Sequence, residues 1–320
     1  MGPHLLITGA SGFIGGRVAA AAMTAAVGAG RVRLFARRPL DVPPFGPEGT
    51  PAVETVRGDL RDPDSLRRAC EGVDVLIHCA SAIGGDEGTA RAVNDEGVRA
   101  LVDAAVRAGV TRIVALGTAS VHGRGPFRAA APGTPPIAPV STTSRTRAAG
   151  ERHVMEAGGT VLRPHLVYGA GDRQMVPGLV ELLGALPGPL DGGASRHSLI
   201  DADSLAGVLL GAALSPRTRP GPYHVNHPEP VPVADLLAAG EELLAHRAGP
   251  RRGPAVDIAE ARTLLAAHPF ALHHLDMLAT DHWFADDRTW REPGRDPGPG
   301  FTEGFARHAE WYRSFLGPSS

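Results

Sequence analysis

A chain of 320 residues with a formal net charge of −2 has room for one large α/β unit with an attached lobe, or for two domains. The near-neutral balance points away from nucleic acid and anionic membrane surfaces, and no apolar run approaches the roughly 20 residues of a membrane span. Two cysteines, Cys70 and Cys79, are too few for a disulfide framework. All 32 basic residues are arginine, so chemistry that needs a lysine is excluded.

The first predicted element is the strand-like run Leu5-Leu6-Ile7. It leads directly into Thr8–Gly15, reading TGASGFIG, and then into a helix-like run, Arg17–Met23. Strand, glycine turn and helix in that order form a dinucleotide cradle. Gly9 allows the tight turn, Gly12 lets a pyrophosphate approach the backbone, and Gly15 lets helix and strand pack closely. Ser11, Phe13 and Ile14 complete the turn, where the helix N-terminus offers unpaired N–H groups to phosphate. Because this strand begins within a few residues of Met1, no leader is expected, and a cytoplasmic location is.

The next strand-like run is Arg31–Ala36, at whose end an acid would hold a ribose 2′-hydroxyl. The chain has Ala36 there, followed by Arg37 and Arg38. Two guanidiniums suit a 2′-phosphate, so the expected cofactor is NADP(H); a solvated Arg-Arg-Pro loop is the alternative.

Further strand-like runs follow at Val53–Val56, Val73–His78, Arg112–Leu116 and Thr160–Leu162. Helix-forming stretches at Ser65–Glu71, Thr89–Ala108 and Thr146–Ala157 alternate with them. The alternation predicts an α/β fold, a Rossmann-type doubly wound parallel sheet with a smaller C-terminal lobe. Proline and glycine place loops at Pro39–Pro51, Gly123–Pro139 and Pro187–Gly193. The last third predicts helices at Val233–His246, Ile258–Ala267 and Phe305–Phe315, the last after a break at Pro293–Gly300. Residues 1–165 are thus expected to form the nucleotide domain, with a strand and helix returning near 196–215. Residues 166–195 and 216–320 would form the substrate-binding lobe.

More motifs recur in order: Gly58-Asp59-Leu60-Arg61-Asp62, His78-Cys79-Ala80-Ser81, Asn94 with Gly97 ahead of Leu101–Ala105, and Leu116–Gly123. Leu162-Arg163-Pro164, Val167-Tyr168-Gly169 and Ile200–Asp203 complete the series. Over nearly its whole length the chain resembles the extended short-chain dehydrogenase/reductase family, also called the NAD-dependent epimerase/dehydratase family. The resemblance implies Asp59 and Leu60 at the adenine, and Ala80, Ser81 and Ala82 along the cofactor ribose. It implies Pro164, His165 and Val167 at the nicotinamide, and allows a homodimer through helices flanking the sheet.

The family's chemistry rests on a Ser or Thr, a Tyr, and a Lys four residues after that Tyr. The resemblance puts Thr118 at the first position, with Ser120 as a nearby alternative. Counting back from Glu151 puts Thr143 and Arg147 where the Tyr and Lys would stand. An alkanol is far too weak an acid to replace a phenol. Arginine can hydrogen-bond the ribose but cannot shuttle a proton at neutral pH. The catalytic candidates are therefore Thr118, Ser120, Thr143, Arg147 and His165.

Three routes remain open for the missing proton. The substrate supplies it, as a phenol beside the ketone would; His165 or His122 donates it, His165 being free to titrate near neutrality; or the protein binds NADP(H) without redox chemistry. The second role for His122 is a wall of the substrate pocket. A member without Tyr and Lys resembles the ketoreductases of aromatic polyketide pathways, angucyclinone ketoreductases among them. That implies NADPH-dependent reduction of a ring ketone in a polycyclic aromatic small molecule. A nucleotide-sugar epimerase or dehydratase and a silent NADP(H)-binding sensor are the alternatives.

In the later lobe, Arg196 stands near where family members place an arginine for nucleotide-sugar phosphates. Phe270, Trp283, Phe284 and Trp290 are expected as packing core rather than pocket wall, and Asp201 and Asp203 as a turn and helix cap. His273, His274 and His282 lack a metal-binding spacing and no cysteine accompanies them, so no metal is expected.

Overall fold

A computed structural model describes residues 2–24, 28–40, 50–250 and 253–317, so most of the expected Pro39–Pro51 loop lies outside the described residues. Strand β1 (His4–Thr8) feeds helix α1 (Phe13–Ala22), followed by β2 (Arg31–Ala36), β3 (Ala52–Arg57), α2 (Pro63–Cys70) and β4 (Val75–His78). Helix α3 (Glu87–Arg91) passes through a π-helical turn, Ala92–Glu96, into α4 (Gly97–Arg107) and β5 (Arg112–Leu116). Next come β6 (Phe127–Ala130), α5 (Thr142–Glu156), β7 (Thr160–Arg163), β8 (Leu166–Tyr168) and α6 (Met175–Gly184). They are followed by β9 (Arg196–His197), β10 (Leu199–Asp201), α7 (Ala202–Leu214) and β11 (Gly221–His224). The chain ends with β12 (Val231–Pro232), α8 (Val233–Ala248), α9 (Ile258–Leu264), α10 (Pro269–Leu278), β13 (His282–Phe284), α11 (Arg288–Arg291), α12 (Phe301–Ala306) and α13 (Ala309–Leu316).

Seven strands form one parallel sheet in the order β11-β7-β5-β4-β1-β2-β3. Its central strands are apolar without alternation because both faces are covered: Leu5, Leu6, Ile7, Leu76 and Ile77 have no exposure. On one face Leu5 and Ile7 pack against Val18 of α1 and Leu205 and Leu209 of α7. On the other, Leu6 and Leu76 pack against Leu66, Leu101 and Val154 of α2, α4 and α5. Each such leucine, fully buried, contributes about 1.5–3 kcal/mol. Side-chain caps mark two of the helix starts. Asp62 caps α2 ahead of Pro63, and Ser141 with Ser144 forms a capping box on α5.

A second core belongs to the lobe, where Leu179 and Leu183 of α6 meet Leu244 of α8 and Leu275 of α10. Beside it lies a four-stranded sheet in the order β12-β9-β13-β6. Three expectations are corrected here. Residues 221–224, assigned by sequence to the lobe, pair with β7 as the edge strand of the main sheet, anchored by the fully buried Tyr223. The proline- and glycine-rich segment Gly123–Pro139 contains strand β6, whose order comes from pairing with β13. The expected helix Phe305–Phe315 is two helices, α12 and α13, separated at Arg307-His308, with the His308 ring bonded to Asp201 at 2.6 Å. Among the described residues no helix is long and apolar enough to cross a membrane.

Candidate active site

The Gly9–Gly15 turn is shaped by contact on one side and openness on the other. Gly9 has φ +72°, and a Cβ there would lie 2.7 Å from the Ala80 nitrogen. A Cβ at Gly15 would lie 2.2 Å from the Gly9 carbonyl oxygen. Gly12 differs: a Cβ would meet only the Gly9 oxygen, at 3.2 Å, so its outer face is open to an approaching group. Gly12 also precedes α1 with no side-chain cap, leaving the first-turn N–H groups to an anion. The cradle therefore fits a dinucleotide pyrophosphate. Ser11 is exposed there, Phe13 is half-buried beneath the Arg17 guanidinium, and Ile14 is buried in the core and can offer only backbone.

Arg37 and Arg38 are exposed just beyond the end of β2. Asp59, expected at the adenine, is gripped by Arg61, which donates to its two oxygens at 2.9 and 2.7 Å. That pairing holds the Asp59 carboxyl down to about 2. Leu60 is buried in the sheet-facing core.

The segment Ala80-Ser81-Ala82 is fixed from behind by Asn94. Its Oδ1 accepts the Ala82 N–H at 2.7 Å, and its Nδ2 donates to the Ala82 carbonyl at 2.9 Å and to Thr146 Oγ1 at 3.1 Å. The π-helical turn holds Asn94 at this point. Arg147 lines the same cleft as Ala80 and Ser81 and donates to the carbonyls of Leu116 and Gly117 at 3.0 and 2.8 Å. Burial lowers its pKa, with Glu151 opposing, but a guanidinium stays charged.

Beyond the carboxyl ends of β5 and β7 lies a cavity of about 470 Å³. The main sheet contributes Ala119, Ser120 and His165; the lobe contributes Met277, His282 and Phe284. The two candidate hydroxyls separate here. Thr118 is half-buried and caps the turn Ala119–His122, its Oγ1 accepting the Ser120 N–H at 3.2 Å. Ser120 Oγ lies 2.9 Å from Thr118 Oγ1, and Ser120, exposed, lines the cavity where Thr118 does not. The tight turn decides which hydroxyl faces the substrate space. Pro164 supports that turn, its carbonyl accepting the Ala119 N–H at 2.9 Å, and Val167 is held in β8 opposite Ile200.

Thr143 does not line the cavity; Ser141 and Ser144 of the same turn do. None of the three tyrosines reaches it among the described residues. Tyr168 is buried against Phe301, Tyr223 bonds Glu292, and Tyr312 bonds Asp172. His165 does line the cavity, but it does not titrate near neutrality as expected. Burial, then the neighbouring His282, His197 and His224, hold it well below the ordinary histidine range. A neutral imidazole is a poor proton donor. His122 is buried behind the cavity, with its Nδ1 donating to the Pro136 carbonyl at 2.9 Å and its ring beside His224, so it is not a pocket wall.

The later lobe departs from expectation in detail. Phe284 forms cavity wall, whereas Phe270 is exposed away from it and Trp290 packs on the core with Nε1 donating to the Asn226 carbonyl. Trp283 is half-buried. Arg196 reaches the Pro230 carbonyl rather than the cavity. Asp201 caps α7, while Asp203 pairs with Arg17 at 2.7 Å. The sequence also missed that His197 and His282 meet His165, because their three segments are far apart in the chain.

A parallel sheet with an anion-receiving glycine turn at one strand end, and a cavity beyond the carboxyl ends of other strands, defines a dinucleotide-binding protein of the doubly wound class. Residues 5–226 match the profile of the NAD dependent epimerase/dehydratase family, and the chain belongs to that family, the extended short-chain dehydrogenase/reductase oxidoreductases. It is 28% identical over 287 residues to a 2-alkyl-3-oxoalkanoate reductase of Stenotrophomonas maltophilia, covering 80% of this chain and 85% of the relative. It is 30% identical over 283 residues to a 3 beta-hydroxysteroid dehydrogenase/Delta 5→4-isomerase of Mycobacterium tuberculosis, covering 79% and 73%. The solved structure of a double mutant of the dTDP-glucose 4,6-dehydratase DesIV from Streptomyces venezuelae superposes with TM-score 0.73 at 22% identity, covering 97% of this chain and 96% of that one.

Proposed function

We propose that the protein is an atypical NADPH-dependent ketoreductase that reduces a ring ketone of a polycyclic aromatic, polyketide-type substrate. The observation that carries this reading is the cavity itself. It presents Ser120, Ser141 and Ser144, an apolar and aromatic wall that includes Met277 and Phe284, the imidazoles of His165, His273 and His282, the charged Arg124, Arg262 and Asp276, and, among the described residues, no phenol. Its volume of about 470 Å³ falls in the roughly 300–1,000 Å³ range of small-molecule sites. Two relatives named for a reductase of oxoalkanoates and a dehydrogenase of hydroxysteroids support an apolar carbonyl substrate.

When bound, the dinucleotide supplies hydride. The chain's residues position the partners. Gly12 and the start of α1 would receive the pyrophosphate, and Arg37 and Arg38 would hold the 2′-phosphate. Asn94 keeps Ala82 in place along the ribose, and Arg147 sets a positive charge beneath it. Ser120, buttressed by Thr118, donates to the carbonyl oxygen and fixes its orientation. The alkoxide takes its proton from the substrate's own phenol or from water: among the described residues no tyrosine lines the cavity, and Asp276, which does, is paired as a carboxylate with Arg262 at 2.9 Å.

The test compares NADPH oxidation with an ortho-hydroxyaryl ketone and with its methyl ether. Turnover of the first and loss of most turnover with the second is the expected result. Equal rates would refute substrate assistance, and no turnover with any aromatic ketone would refute the reading. The nucleotide-sugar alternative is disfavoured because its carbinol deprotonation calls for a tyrosine, and among the described residues none of the three tyrosines lines the cavity.

A further inference from the structure

Behind the cavity the fold gathers imidazoles from three distant segments: His165 after β7, His197 in β9 and His282 in β13. Strand pairing brings the last two into direct register, since His282 pairs with His197. One ring nitrogen of each of the three lies within 4.8 Å of those of the others. The ring centroids are 5.3, 6.0 and 6.1 Å apart. Three imidazoles on one zinc-like ion, each at about 2.0–2.1 Å, would have centroids roughly 5–5.5 Å apart. The ring planes lie 12–16° from parallel, so the rings must also turn to aim their in-plane lone pairs at one ion.

The hydrogen bonds around the cluster set which nitrogens remain available. His197 Nε2 faces the Leu278 carbonyl at 3.2 Å and Ser195 Oγ at 3.3 Å, so its proton sits there and its buried Nδ1 is left without a partner. His282 Nδ1 donates to the Thr280 carbonyl at 2.9 Å, which leaves the Nε2 lone pair, now accepting the Gly125 N–H at 3.1 Å. His165 Nε2 is buried and also lacks a partner. Outer nitrogens bonded to backbone carbonyls are what orient histidines at metal centres. Buried polar atoms without partners are few in native interiors and call for an ion or water among them. The other acid–histidine group, Asp201, Asp203 and His308, is already committed to a helix cap, an ion pair with Arg17 and a mutual bond.

We infer that His165, His197 and His282 hold a divalent transition metal of the zinc class, with an open coordination position toward the cavity that His165 and His282 line. Binding exchanges the Gly125 N–H on His282 for the ion. Neutral imidazole ligands select Zn(II), Co(II), Ni(II) or Cu(II) over Mg(II) or Ca(II). The site stands independently of the ketoreductase reading. Its use rests on that reading: an ion here would polarise a carbonyl oxygen where no tyrosine does.

The experiment titrates the untagged, chelator-treated full chain with Co(II) and Zn(II). Absorption reports the cobalt, and imidazole ¹⁵N NMR reports which rings bind. Stoichiometric binding with tetrahedral cobalt bands and selective shifts of three histidine rings is expected. His197→Gln and His282→Gln should weaken binding by more than the roughly 10–100-fold that loss of an outer-shell partner costs, while His273→Gln leaves it unchanged. Absence of stoichiometric binding by the wild type, or cobalt in an octahedral, solvent-like environment, overturns the site. The ring-resolved shifts decide the matter even where a variant fails to fold. Metal binding without ketone turnover would support the site and remove only the reductase reading. Ketone turnover by a protein that binds no metal would overturn the site alone.

Discussion

Glu151 and Arg163 form an ion pair at 2.8 Å in which the two side chains are only 5% and 3% exposed. The second oxygen of Glu151 accepts the Thr118 N–H at 3.0 Å, so one carboxylate ties α5 to the ends of β5 and β7. This is the joint that fixes the turn carrying Ser120. Removing one partner of a buried pair leaves an uncompensated charge and costs about 3–5 kcal/mol. Glu151→Ala should therefore lower the urea midpoint sharply; an unchanged midpoint would show that the pair holds nothing. Glu151→Gln keeps an acceptor for Thr118 and should lose less.

Arg37 and Arg38 stand exposed just beyond the end of β2, and the proposed reading gives them the NADPH 2′-phosphate. Charge-assisted hydrogen bonds contribute about 1.5–3 kcal/mol each. The double variant Arg37→Ala/Arg38→Ala should weaken NADPH binding by roughly 10–100-fold or more while changing NADH little. Fluorescence titration with both nucleotides measures this. Equal losses would reject the phosphate-binding role.

Of the two candidate hydroxyl residues at the end of β5, Ser120 lines the cavity and Thr118 does not. Ser120→Ala should lower kcat by about 10–100-fold through lost carbonyl orientation, with NADPH affinity preserved. Thr118→Val should act more weakly, since it removes the brace and not the contact. The reverse order in steady-state kinetics would restore Thr118 to the principal role.

Thr143 lies outside the cavity lining, although it falls where the family's tyrosine is expected. A positioned acid is worth roughly 10²–10⁴-fold in rate. Thr143→Tyr should recover almost none of that if the substrate carries its own proton. A gain of that size would show that the usual geometry is still available.

What the sequence made readable was local. The strand, glycine turn and helix of residues 4–22 follow one another in the chain, so their order alone implied the cradle. Arg112–Leu116 reads as a strand because it is a short apolar run with β-branched Ile113 and Val114, closed by Gly117. The histidine cluster was hidden because residues 165, 197 and 282 meet only after β9 pairs with β13. Strand β6 was hidden too, because its partner lies about 150 residues downstream, and pairing overrode a turn-rich composition. The choice between Thr118 and Ser120 depended on a single 3₁₀ turn, below the resolution of motif spacing.

His224 offers the sharpest test of how burial controls the protein's response to acid. Its ring stacks on Phe284 with centroids 4.5 Å apart and planes 7° from parallel, and neither nitrogen has a hydrogen-bond partner. Burial, with His122 and two arginines adding, pushes its pKa down from 6.5 to about 3. The unfolded chain binds the proton near 6.5 and the folded chain does not until about 3, so unfolding gains protons across that window. Stability from this residue is therefore full above pH 6.5 and falls as the pH drops toward 3. Each unit of pH below 6.5 costs about 1.4 kcal/mol for one such group. His224→Phe keeps the ring stack, removes two unpartnered nitrogens and deletes that proton. Urea unfolding at a series of pH values should show the variant losing stability less steeply by one proton's slope, with roughly 1–2 kcal/mol in its favour near pH 5. Parallel pH profiles for wild type and variant would mean that His224 is hydrated or paired in solution, and not buried as a bare ring.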